Sequence, residues 1–124
     1  KAPALVQGTA LALPFADASF DAVVSTEAFH WFPDPVLALR ELRRVVVPKG
    51  RILVSLVNPP AEWMSRAARA TSLLLREPFD WPTRERMRER VEAAGLELVD
   101  QRFVFRLPLP FSFPTVLTEA VRPA

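Results

Sequence analysis

The sequence predicts an α/β fold with a mostly parallel sheet. Three observations carry that expectation. Residues 20–25, FDAVVS, form a short apolar run of the kind found in strands covered on both faces. Residues 35–46 then place Leu39, Leu42, Val45 and Val46 at helical spacing, with Arg40, Arg43 and Arg44 assigned to the wet side. Residues 51–57, RILVSLV, are a second buried run. Strand, helix and strand within about 40 residues is the size of one βαβ unit.

The elements follow in order. Residues 4–8 look like the end of a strand reaching a turn at Gly8, and the next stretch is a loop stopped by Pro14. Residues 16–19 are small and polar, a connecting turn before the strand at 20–25. Asp34 is a good N-cap and Pro35 suits the first helical position. Pro48, Lys49 and Gly50 end that element. Asn58, Pro59 and Pro60 break the chain after the second strand. A helix over 61–76 is expected to turn Trp63, Met64, Ala67, Ala68, Thr71, Leu74 and Leu75 to one face. Residues 77–82 make a rigid aromatic connection. Thr83 caps a further helix, with Met87, Val91 and Ala94 inward and Gly95 as its stop. Residues 96–107 read as a long strand, with Phe103, Phe105 and Leu107 alternating against Val104 and Arg106. The tail carries Pro108, Pro110 and Pro114, and residues 115–121 read as the start of a helix.

Composition narrows the function. At 124 residues the chain is one domain, and 50% hydrophobic residues suffice for a core. It has no cysteine and one histidine, which removes disulfides, thiolate nucleophiles and His-rich metal sites. No metal is expected. The lack of cysteine fits a cytoplasmic location. Every apolar run is interrupted before it reaches membrane-span length. The net charge of +2 is small, and the basic run RERMRER at 84–90 interleaves acids, so a solvated helix face is favoured over a nucleic-acid surface. The preference for Arg, Ala, Val and Pro reads as a bacterial genome bias.

A wider pattern ties the parts together. It runs from GTALALPFADASFDAVVS at 8–25 to HWFPDP at 30–35. It continues through Leu39, Glu41, Leu42, Arg44 and Val45 to Pro48, Lys49 and Gly50. This resembles the type-11 class of S-adenosyl-L-methionine (SAM)-dependent methyltransferases, which includes ubiquinone and menaquinone biosynthesis methyltransferases. The resemblance is strong over residues 8–57 and looser beyond. It implies a partial Rossmann-like three-layer sandwich that lacks the first strands of the methyltransferase fold. The family's sheet order, 3-2-1-4-5-7-6, would set the strand at 20–25 between a missing first strand and the strand at 51–57. The family's Gly-rich cofactor turn and ribose-binding acid have no counterpart among the three glycines, Gly8, Gly50 and Gly95. With Lys1 rather than Met at the start, the chain is expected to be the C-terminal part of a methyltransferase domain, cut at the N-terminus and at the C-terminus.

The resemblance also implies a site. Thr9, Ala10 and Leu11 would lie near the adenine, with Thr9 standing where the family carries Asp. Ser25 and Thr26 would floor the sulfonium region. Ligands in open α/β sheets bind beyond the C-terminal strand ends, so Glu27, His30 and Trp31 would face the acceptor, joined by Trp63 from the following helix. If residues 26–31 form a helical turn, Thr26 and His30 share a face, and Phe29 and Phe32 share another. His30 is the one side chain whose ordinary pKa suits a general base near neutrality. It is the catalytic candidate, beside the plainer reading of a histidine that lines a pocket. Asp21 sits at the other end of its strand and reads as a turn residue.

The expected activity is SAM-dependent methyl transfer to a small-molecule acceptor by the full-length protein, with the fragment inactive alone. The alternative is a non-catalytic module that uses the half-sheet for protein binding or dimerisation. An NAD(P)-linked oxidoreductase lacks support, because the chain has no Tyr and no Gly-rich fingerprint. An isolated half-sheet exposes an apolar edge, which predicts poor solubility or a homodimer.

Overall fold

The computed structural model describes residues 2–105 and 114–124, the side chain of Phe105 excepted. Four strands and three helices follow one another as β1 (Phe20–Thr26), α1 (Pro35–Val45), β2 (Val46–Val57), α2 (Glu62–Leu74), α3 (Arg84–Ala93), β3 (Glu97–Phe105) and β4 (Thr115–Val121). A 3₁₀ turn at Phe29–Trp31 lies between β1 and α1.

The sheet order is β1-β2-β4-β3. β1 pairs parallel with β2, with Val24 opposite Leu53. β4 enters antiparallel between β2 and β3, with Leu53 opposite Glu119 and Leu98 opposite Ala120. Three of the four strands therefore run the same way and β4 is reversed. This is the 4-5-7-6 half of the order implied by the resemblance. β4 corrects the sequence reading in two ways. Residues 115–121 are a strand, not a helix, and the C-terminal cut expected from the resemblance does not cost the sheet its antiparallel strand. Thr115, Val116, Val121 and neighbouring Thr118 favour extended backbone, which the helical reading underweighted. The Pro-rich stretch at 106–113 and its expected strand end at Leu107 lie outside the described residues.

The core sits on one face. Leu39 and Leu42 of α1, and Met87 and Val91 of α3, meet Ile52, Val54 and Leu56 of β2. The alternate residues of β2, Leu53, Ser55 and Val57, turn to the opposite face and are only half-buried. The described helices that join this core thus build, with the sheet, two layers of the three-layer sandwich.

Both expected caps form. Asp34 Oδ1 accepts the Leu37 N–H at 2.9 Å, and Thr83 Oγ1 accepts the Arg86 N–H at 3.2 Å. Gly95 stops α3 at φ 78°. The turn at 48–50 is tighter than expected. Lys49 adopts φ 64°, and a Cβ on Gly50 would stand 2.7 Å from the Val47 carbonyl oxygen. Gly50 is needed for close approach, while Lys49 holds the left-handed conformation.

Three further expectations change. Residues 4–8 form no strand, and Leu5 is 93% exposed. β1 is an edge strand with β2 on one side only, so Val24 is 62% exposed rather than buried on both faces. α2 buries Ser65 and Ser72 and leaves Trp63, Leu73 and Leu74 exposed. The reason is a pair of hydroxyl anchors. Ser65 Oγ donates to the Trp81 carbonyl at 2.6 Å and Ser72 Oγ to the Phe79 carbonyl at 3.3 Å, both beyond the end of α2. These turn the helix so that its apolar stripe faces away from the core.

Candidate active site beside β1

The loop before β1 is held by Arg44, which pairs with Glu41 and with Asp17 of the loop. Arg44 Nε donates to Glu41 Oε1 at 2.9 Å, and its two terminal nitrogens reach the Phe15 carbonyl at 2.7 Å and the Leu13 carbonyl at 3.0 Å. Glu41 Oε2 accepts the Leu13 N–H at 2.7 Å. The Arg44 hydrogen bonds pull the Glu41 carboxyl below its ordinary pKa, and the Glu41 and Asp17 carboxylates push Arg44 up. The spacing of Glu41 and Arg44 on one helical face could have signalled this pair. The reading of Arg44 as a water-facing residue missed it. One side chain therefore sets the path of residues 13–17 along α1.

A cavity of about 380 Å³ opens along the free edge of β1. Ala10 and Phe15 of the loop, Ser25 of β1, and Phe29 and Phe32 of the 3₁₀ region line it. Ala10 and Ser25 were expected at the cofactor, and they meet here. The other three expected cofactor residues do not line this cavity. Thr9 is exposed, and its Oγ1 accepts the Leu11 N–H at 3.3 Å, closing its own small turn. Leu11 packs partly on the core. Thr26 is exposed at the end of β1.

A second cavity, about 360 Å³, lies on the other side of Phe32. His30, Trp31, Phe79, Arg69 and the Asp80–Arg90 pair line it, and Phe32 borders both cavities. The rings form a connected wall: His30 to Trp31 at 4.7 Å, Trp31 to Phe79 at 6.1 Å, and Phe79 to Trp81 at 4.7 Å between centroids. The His30 carbonyl accepts the Asp80 N–H at 2.9 Å, tying the 3₁₀ turn to the aromatic connection. His30 Nδ1 is buried with no hydrogen-bond partner among the described residues. Burial lowers its pKa, because the charged imidazolium loses water. The ring is therefore neutral at neutral pH.

The proposed pairing of Thr26 with His30 on a helical face does not form. β1 continues through Thr26, and the 3₁₀ turn spans only 29–31. Phe29 and Phe32 do meet, edge to face at 4.9 Å. Glu27 lies outside both cavities at φ 51°, its N–H donating to the Ser55 carbonyl at 2.9 Å. Partial burial pushes its carboxyl up, and a hydrogen bond from the Val57 backbone opposes that. Trp63 is 66% exposed and lines neither cavity. Asp21 is exposed near the start of β1, away from both. No group of three or more potential metal ligands occurs among the described residues, and none of their helices is long and apolar enough to cross a membrane.

Known proteins with similar sequences and folds match this architecture. The family model described as "Methyltransferase domain" (Methyltransf_11) matches residues 1–54. An uncharacterized Escherichia coli protein, YafE, is 34% identical over 131 residues, covering 94% of this chain and 60% of YafE. A demethylmenaquinone methyltransferase of Corynebacterium kroppenstedtii is 30% identical over 118 residues, covering 79% of this chain and 52% of that protein. The chain thus spans little more than half the length of these relatives. Among solved structures, the 1,6-didemethyltoxoflavin-N1-methyltransferase of Burkholderia thailandensis superposes with a TM-score of 0.71. That match has 19% identity and covers 96% of this chain and 50% of that one. The Burkholderia structure holds S-adenosylhomocysteine. Residues 1–54 match this methyltransferase-domain family, and the β1-β2-β4-β3 half-sheet shares the fold of known methyltransferase structures.

Proposed function

We propose that the protein containing this chain transfers a methyl group from SAM to a small-molecule acceptor, with the two cavities flanking Phe32 as the donor and acceptor sides. One observation carries the reading: Ala10 and Ser25, from separate segments, line one cavity at the free edge of β1, and His30 lines its neighbour.

The residues present fit one side of the cofactor. Ala10, Phe15 and Phe29 offer apolar walls suited to a purine, and Ser25 places a hydroxyl at the C-terminal end of β1. No glycine-rich turn lies in the described loops, so the methionine end and the ribose fall to chain outside residues 1–124. When bound, SAM supplies an electrophilic methyl on a sulfonium. The task left to the chain is alignment and water exclusion, which account for much of the catalysis in an in-line displacement. Neutral His30 accepts a proton when the acceptor carries one to remove, and a base is not needed otherwise. Trp31 and Phe79 hold the acceptor and shield the site. Thr9, whose hydroxyl closes its own turn outside the cavity, takes part only if the complete domain brings it to the adenine. Leu11, Thr26, Glu27 and Trp63 take part only if the complete domain folds them inward. The expected partners are the acceptor and, for the isolated half-sheet, a second copy; the expected location is the cytoplasm.

The test is transfer of labelled methyl from SAM into small molecules of a host extract by the intact protein. His30→Ala is expected to slow turnover at least tenfold with little change in SAM affinity. Unchanged turnover in His30→Ala assigns His30 to pocket lining alone. Absence of any methyl transfer, with SAM bound, favours the non-catalytic module.

A further inference from the structure

We propose that the cavity beside His30 takes a planar aromatic carboxylate, its ring resting on Trp31 and Phe79 and its carboxylate paired with Arg69. Three observations converge. The cavity is about 360 Å³, within the range of roughly 300–1,000 Å³ typical of small-molecule sites. Its wall is aromatic: the Trp31 and Phe79 rings meet at 76°, leaving ring faces and edges for a third ring to stack on. Its charge is positive and uncompensated. Arg90 pairs with Asp80, His30 is neutral, and Arg69 has no ion-pair partner among the described residues.

Arg69 is also well placed by its helix. Ser72 Oγ contacts the Phe79 carbonyl at 3.3 Å and Ser65 Oγ the Trp81 carbonyl, so α2 is tied to the segment that carries the aromatic wall. An unpaired guanidinium beside aromatic rings favours a carboxylate over a neutral group, because only the anion forms the two-pronged, charge-assisted pair. The proposal rests on the methyl-transfer reading only in naming this ligand as the acceptor. The binding chemistry stands apart from it.

The experiment titrates the intact protein with 2-naphthoate and, separately, with 2-naphthamide, without a methyl donor, following tryptophan fluorescence and calorimetric heat. Saturable naphthoate binding is expected, with the amide about tenfold weaker. Arg69→Gln is expected to weaken naphthoate by about tenfold and leave the amide unchanged, while Arg69→Lys keeps part of the preference. Arg69 is exposed and makes no ion pair among the described residues, so these variants should keep the fold, which circular dichroism checks. Equal binding of acid and amide, no binding of either, or naphthoate binding untouched in Arg69→Gln would overturn the proposal. SAM binding with no naphthoate preference rejects this proposal alone. A naphthoate preference without SAM binding rejects the methyl-transfer reading alone.

Discussion

Lys49 holds a backbone conformation that glycine adopts without steric cost. Its φ of 64° lies in the left-handed region, where a Cβ crowds the following carbonyl. Its N–H still donates to the Arg122 carbonyl at 2.8 Å, so the turn is pinned to the end of β4. Lys49→Gly is therefore expected to stabilise the fold by about 0.5–1 kcal/mol, read from urea denaturation midpoints. His30 makes a second prediction at this scale. Its folded pKa lies below the unfolded value of about 6.5. Between those values the unfolded state binds the proton and the folded state does not, so stability falls as pH drops through about 6.5 toward the folded pKa. Thermal unfolding followed between pH 7.5 and 5 should show a loss in the wild type that His30→Gln reduces. An equal loss in both would remove His30 from the pH response.

The elements differ in how openly the sequence declares them. α1 and α3 have caps, periodic apolar faces and a glycine stop, and all of these signals are local. The Asp34 and Thr83 caps and the inward faces of Leu39, Met87 and Val91 are where the spacing puts them. α2 was legible as a helix but not in its orientation. Its rotation is set by Ser65 and Ser72 meeting the Trp81 and Phe79 carbonyls beyond the helix, at 2.6 and 3.3 Å, and hydrogen bonds of this kind leave no periodic trace. The consequence is testable. Leu74→Ser should change stability by less than about 0.5 kcal/mol, since Leu74 is 83% exposed. Leu39→Ala should cost about 2–5 kcal/mol, since Leu39 is wholly buried. The loop at 13–17 was read as a loop, but its anchor was not seen. Arg44→Met should speed amide exchange at Leu13, whose N–H is held by the Glu41 carboxylate that Arg44 orients. Unchanged exchange would mean that Glu41 alone holds the loop.

At the scale of the molecule, the sheet formed by the described residues is open at β1. β1 presents an unpaired edge with Phe20 and Val24 exposed, and the cavity beside it is walled largely by apolar side chains. The parallel pairing of β1 with β2 and the meeting of Ala10 with Ser25 followed from the pattern over residues 8–57, because it links segments that the sheet brings together. The second cavity was legible only through His30 and Trp31. Arg69, Phe79 and Asp80 reach it through α2 and the aromatic connection, whose placement depends on tertiary contacts. The central claim is that β1 and its cavity form one side of a SAM site completed by further chain. The direct measurement is calorimetric titration of SAM into the intact protein and into residues 1–124 alone. Saturable binding by the intact protein, with none by the fragment and self-association of the fragment through its free edge, is the expected result. A folded intact protein that binds no SAM would contradict the account, as would a monomeric fragment that binds SAM as tightly as the whole.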